Sequence, residues 1–143
     1  MVARLLVALL SLLRGPQSAC IESRRDVIIA AAEAGERDHG VPPVILLVIG
    51  FAESHLGCDV GEGGGWGAPI SRTRRHTAGT PDHAARALAR SYEVCGTWLG
   101  AVSRFRCGLC RCPRLRGYDP TDAMRLVDRV STRAGTPAPT GAP

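Results

Sequence analysis

"HGVPPVILLVIGFAESHLGCD", residues 39–59, decides how this chain is read. Gly40 is a helix stop, and Pro42 and Pro43 suit the first positions of a new helix, where a missing N–H costs nothing. From about Pro43 to His55 the residues are apolar on every face, and a helix of that kind is normally buried. The run ends in Glu53. On a helix Glu53 shares a face with Gly50, Ile49 and Leu46, so it lies on or beside an apolar surface and near the negative end of the helix dipole. Desolvation and the dipole both disfavour a charged group there. A carboxyl that keeps its proton can give it to a leaving oxygen. The plainer reading is a last-turn residue marking where the helix meets water.

The segments around this helix read as further helices. Glu22 to His39 is Ala-rich, with Ser23 as a possible N-cap. Thr80-Pro81-Asp82 supplies a cap, a first-turn proline and a first-turn acid. Beyond it Ala84, Leu88, Tyr92, Cys95, Leu99 and Val102 recur at helical spacing, as one long helix kinked at Gly96 or Gly100. Asp119-Pro120-Thr121-Asp122 opens a last helix with Met124, Leu126, Val127 and Val130 as its apolar positions. Between them lie a glycine-rich loop, "GCDVGEGGGWG" (57–67), and a Cys- and Arg-rich loop, "RFRCGLCRCPRLR" (104–116). No strand pattern is evident. The fold class is mainly α.

With 143 residues, 45% of them apolar and 22% charged, the chain can build one domain with a real core and is not of disordered composition. The net charge of +5 comes entirely from arginine on the basic side and favours polyanionic partners. Residues 1–19 are expected to be a signal peptide: Arg4, an apolar run from Leu5 to Leu13 too short to span a bilayer, then small residues at Ser18 and Ala19. The alternative is an amphipathic first helix of the domain. A lipid anchor on Cys20 is a weaker option, since Gln17 stands where an aliphatic residue is expected. Residues 20–132 form the domain, and 133–143, rich in Pro, Gly, Ala and Thr, are expected to be a disordered tail.

Six cysteines in an exported chain suggest disulfides, with the pairing left open. The competing zinc reading of Cys107-x2-Cys110-x-Cys112, completed by Cys58, Cys95, His76 or His83, lacks the second close pair that structural zinc sites usually have. No metal and no cofactor are expected. The arginines of 104–116 lack the aromatic interleaving of a nucleic-acid site, so no nucleic acid is expected either. Trp98 reads as core. Trp66 either stacks on a ligand or plugs its loop onto the core.

Four segments, in order, carry a resemblance to the lysozyme-like superfamily, in its soluble lytic transglycosylase and goose-type lysozyme group. They are "HGVPPVILLVIGFAESHLG" (39–57), "GGGWGAPIS" (63–71), "AVSRFRCGLC" (101–110) and "RGYDPTDAMRLVDRV" (116–130), together covering roughly residues 22 to 131. The resemblance implies a lysozyme-like helical domain with a Gly-rich loop after the catalytic helix. It implies cleavage of the β-1,4 bond between N-acetylmuramic acid and N-acetylglucosamine in peptidoglycan. Glu53 would be the catalytic acid and then base. Ser54 would support it, Tyr118 would orient it, Gly67 would let the loop approach the sugar, and Phe105 would stand for the family's aromatic. Trp66 joins them as a sugar-stacking candidate. A transglycosylase needs one carboxyl, whereas a hydrolase would add a second, for which Asp59 and Glu62 are the near-sequence candidates. The chain departs from the family pattern in two places. No Gln follows the glycine loop, where Ala68 to Ser71 stand, and Phe105-Arg106 replaces a Tyr-Asn pair. Those losses support an alternative, a degenerate module that binds glycan or a partner without chemistry. Either way the expectation is a secreted, periplasmic or wall-associated monomer acting on peptidoglycan strands, with no integral membrane span.

Overall fold

The computed structural model describes residues 1–59, 66, 79–113 and 117–139. Helices α1 (Val2–Leu12), α2 (Ser18–Ser23), α3 (Arg25–His39), α4 (Pro43–Ser54), α5 (Pro81–Cys95), α6 (Trp98–Cys107) and α7 (Pro120–Ala134) pack into one domain, and there is no strand among the described residues. The mainly α expectation holds.

Helix α4 is the axis. Every residue from Pro43 to Gly50 is buried, and the helix touches α1, α3, α5 and α7. A helix apolar all round needs neighbours on all sides, and each buried Val, Leu or Ile contributes about 1.5–3 kcal/mol. Close approach on one side depends on Gly35 of α3, where any Cβ would run into the Leu46 side chain and press on Ala85.

The expected helix boundaries shift in three places. The Ala-rich segment is two helices that meet at Arg24, and Ser23 caps neither: its hydroxyl donates to the Cys20 carbonyl at 2.7 Å. The expected long helix after Thr80 ends at Gly96, which takes left-handed dihedrals (φ 76°), and Thr97 caps a new helix by accepting from the Gly100 amide. That break changes the phase of the apolar face, so Leu99 is 44% exposed while Trp98 and Val102 are buried. Helix α7 runs two residues into the expected tail. Gly135 closes it, Thr136 N–H returns to the Ser131 carbonyl at 3.0 Å, and Pro137 to Pro139 line a cavity beside Met1, Leu5 and Val44.

The segment expected as a signal peptide forms α1, an amphipathic helix of the core. Val2, Leu5, Leu6 and Leu9 are at most 3% exposed, packed toward α4 and α7. The cysteines pair as Cys20–Cys58, Cys95–Cys110 and Cys107–Cys112, and no cysteine is free. The thiol of Cys20 is therefore not open to a lipid, nor are the loop thiols open to zinc. No helix among the described residues is long and apolar enough to cross a membrane.

Candidate active site around Glu53

The chain turns sharply just after Glu53. His55, Leu56 and Gly57 all have positive φ (49°, 56° and 81°), and for the first two residues that is a strained conformation. The surroundings hold it in place. Leu56 is fully buried and donates its N–H to the Gly50 carbonyl at 3.0 Å, and its own carbonyl accepts from the Arg24 guanidinium at 3.1 Å. The Ser54 hydroxyl accepts from the Gly57 amide at 2.9 Å, and the Ser54 carbonyl accepts from the Asp59 amide at 3.0 Å. The Cys20–Cys58 bond ties the turn to α2. Ser54 thus builds the turn that follows Glu53.

Glu53 itself is half-buried. The phenol of Tyr118 donates to its Oε1 at 2.7 Å. Tyr118 lies between Gly117, at φ 92°, and Asp119, whose side chain caps α7 by accepting from the Thr121 amide at 2.7 Å. Burial pushes the Tyr118 phenol well above its ordinary range. The Glu53 charge and the hydrogen bond push the same way, and only the Arg106 cation opposes them. Tyr118 is therefore a fixed donor to Glu53 at any physiological pH. The Arg106 guanidinium lies over the Tyr118 ring, 4.6 Å from its centroid.

The aromatics expected to face substrate lie elsewhere. Phe105 is 7% exposed and belongs to the core. Neighbours on a helix point about 100° apart, so α6 turns Phe105 inward and Arg106 toward Tyr118. Trp66 is 2% exposed. Its ring packs on Gly50, where a Cβ would stand 2.9 Å from it, and the backbone N–H of Trp66 donates to the Gly79 carbonyl. Of the two readings open for Trp66, the plug is the arrangement present, so it offers no face to a sugar. Asp59 is engaged by His55 Nδ1 at 2.8 Å and by Gln17 at 3.4 Å. Glu62 and Gly67 lie outside the described residues, as do Ala68 to Ser71 and His76.

Of the residues singled out in the sequence, Glu53, Ser54 and Tyr118 come together in the structure. Arg106 stands out in the sequence only as a departure from the family pattern, and nothing in the spacing shows that its guanidinium stacks on Tyr118. Cavities of about 430–450 Å³ lie elsewhere: between α1, α3 and α7, beside the Cys95–Cys110 bond, and between α1 and the C-terminal prolines.

The fold and site define a helical, disulfide-linked domain that presents a tyrosine-held carboxyl at the end of its central helix. Searches of protein-family models, curated proteins and solved structures find no match to this chain.

Proposed function

We infer that this protein cleaves the β-1,4 glycosidic bond of peptidoglycan as a lytic transglycosylase of lysozyme-like fold, with Glu53 as the single acid and base. The observation that carries this reading is the Tyr118–Glu53 hydrogen bond of 2.7 Å. It joins two segments, 39–57 and 116–130, that resemble the family independently. Glu53 gives its proton to the glycosidic oxygen as the bond to C1 breaks. The resulting carboxylate then takes the proton of the muramyl 6-hydroxyl, whose oxygen closes onto C1 to give the 1,6-anhydro sugar. A donor held on Oε1 fixes the carboxyl's orientation through both steps. Hydrolysis fits less well, because Asp59, the near-sequence carboxylate within the described residues, is taken up by His55 and Gln17. Three disulfides fit a secreted or wall-associated protein, and the net positive charge suits an anionic wall polymer.

A second reading, a binding module that does no chemistry, is favoured by one observation: Phe105 and Trp66 are both buried and give a sugar no aromatic platform. Digestion of purified peptidoglycan by the wild type and by Glu53→Gln, with muropeptides read by mass spectrometry, separates the readings. Anhydro products, one water lighter than hydrolytic ones and made by the wild type alone, support the transglycosylase. Hydrated products mean a lysozyme. No products from a folded wild type leave the binding module.

A further inference from the structure

Tyr118 belongs to a short non-helical link into α7, yet its phenol has to meet one oxygen of Glu53. The ring packs against the edge of the hydrophobic core. Gly117 before it has φ 92°, a conformation open to glycine and rarely to other residues. Arg106 is firmly anchored. It stands near the C-terminal end of α6, which closes with the Gly108 amide on the Arg104 carbonyl at 2.8 Å. Two disulfides pin that end: Cys107–Cys112 beside Arg106, and Cys95–Cys110 back to α5. The guanidinium also lies against Gly117 itself. A Cβ there would be 2.5 Å from Arg106 Nη2, so the glycine makes room for the cation as well as for the turn.

We propose that Arg106 is a positioning residue: its guanidinium clamps the ring of Tyr118 from the pinned end of α6 and so keeps the phenol on Glu53. Arg suits this better than Lys because its planar group covers a ring face. The position is one where the chain departs from the family pattern, so the clamp is a property of this sequence. Its catalytic consequence rests on Glu53 being the acid, whereas the clamp itself does not.

The test uses the full chain with Tyr92→Phe, which leaves Tyr118 as its one tyrosine. Phenolate absorbance is followed with rising pH in this reference, in Arg106→Lys and in Arg106→Gln, with circular dichroism reporting the fold. In the reference Tyr118 stays protonated well above the ordinary phenol range, because the ring is buried beside Glu53. Arg106→Gln is expected to bring it back to the ordinary phenol range, because the ring leaves Glu53 for water, and Arg106→Lys to lie between. Loss of a nearby cation by itself shifts a phenol the other way. A Tyr118 that titrates at or above the reference in Arg106→Gln would therefore mean the phenol stays on Glu53 unaided, and the proposal is overturned. If Arg106→Gln does not fold, Arg106→Met keeps the packed stem without the cation and is judged by the same two outcomes. On peptidoglycan, Arg106→Gln is expected to lower kcat by about 10- to 100-fold with KM within about twofold, and Arg106→Lys to recover most of it. A raised KM with kcat unchanged would assign Arg106 to substrate contact instead. A wild type that releases no muropeptides sinks the cleavage reading, and the titration still decides the clamp.

Discussion

Tyr118 reaches across 65 positions of sequence to donate its phenolic proton to Glu53 Oε1 at 2.7 Å, and it does so from beneath the guanidinium of Arg106. The hydrogen bond and the ring stack are separable. Tyr118→Phe keeps the ring and removes the donor. If the proposed cleavage of peptidoglycan holds, its rate is expected to fall about tenfold, and stability is expected to fall by about 1 kcal/mol, the usual net value of one hydrogen bond. On the same proposal Glu53→Gln should lower the rate by about 10²–10⁴-fold, the range for a positioned acid–base group. Initial rates of muropeptide release, beside thermal melts, check both. Equal losses from Tyr118→Phe and Glu53→Gln would mean that the phenol does more than orient.

Helix α1 makes a sharp claim. Leu6 and Leu9 are both fully buried, so Leu6→Ala and Leu9→Ala are each expected to destabilise the protein by about 2–5 kcal/mol. Denaturant unfolding of the purified protein measures this. Its intact mass shows at the same time whether residues 1–19 are still attached. Variants as stable as the wild type would show that the helix is not part of the folded domain.

Gly50 sits beneath both Trp66 and Leu56, and a Cβ there would stand 2.9 Å from each. Gly50→Ala overpacks the junction and is expected to cost about 1–3 kcal/mol. Tryptophan fluorescence should shift to the red as the Trp66 ring is pushed toward water, read best in a Trp98→Phe background. An unchanged spectrum and melt would mean that the Trp66 ring does not rest on Gly50.

Asp82 joins α3 to the start of α5. It contacts His39 Nε2 at 2.7 Å and Arg86 one turn on. Its carboxyl is held below the usual range, first by the hydrogen bond from His39 and then by that from Arg86. The folded state thus binds the Asp82 proton less readily than the unfolded chain. Its contribution is present above the ordinary carboxylate value of 3.8 and is lost as pH falls below that value and through the lowered one. The pair is exposed, so the effect is small and screened by salt. Asp82→Asn should slightly lower the melting temperature at neutral pH and narrow the gap from wild type in that acid range. A gap constant with pH would show that the titration of Asp82 is not involved.

Much of the fold was legible from local signals. Pro43, Thr80, Pro81, Asp119 and Pro120 mark helix starts because a cap or a proline acts within one turn, and Gly40 marks a stop because left-handed dihedrals are a property of the residue itself. The uniformly apolar run of α4 announced a buried central helix for the same reason. Glu53 and Tyr118 were legible as site candidates through the resemblance of their segments. The break at Gly96 was half-visible: a glycine permits a kink or a stop, and the new cap at Thr97 makes it a stop.

The sequence by itself determined where helices begin, which of them must be buried, and that a carboxyl ends the central one, because these follow from the preferences of neighbouring residues and the period of the apolar pattern. Only the tertiary structure decided which cysteines pair, that Phe105 and Trp66 face inward, that the apolar N-terminal run packs as α1, and that Arg106 lies on Tyr118. Each of these depends on the distance between residues far apart in the chain. Spacing along the sequence carries no record of that distance until the helices have packed.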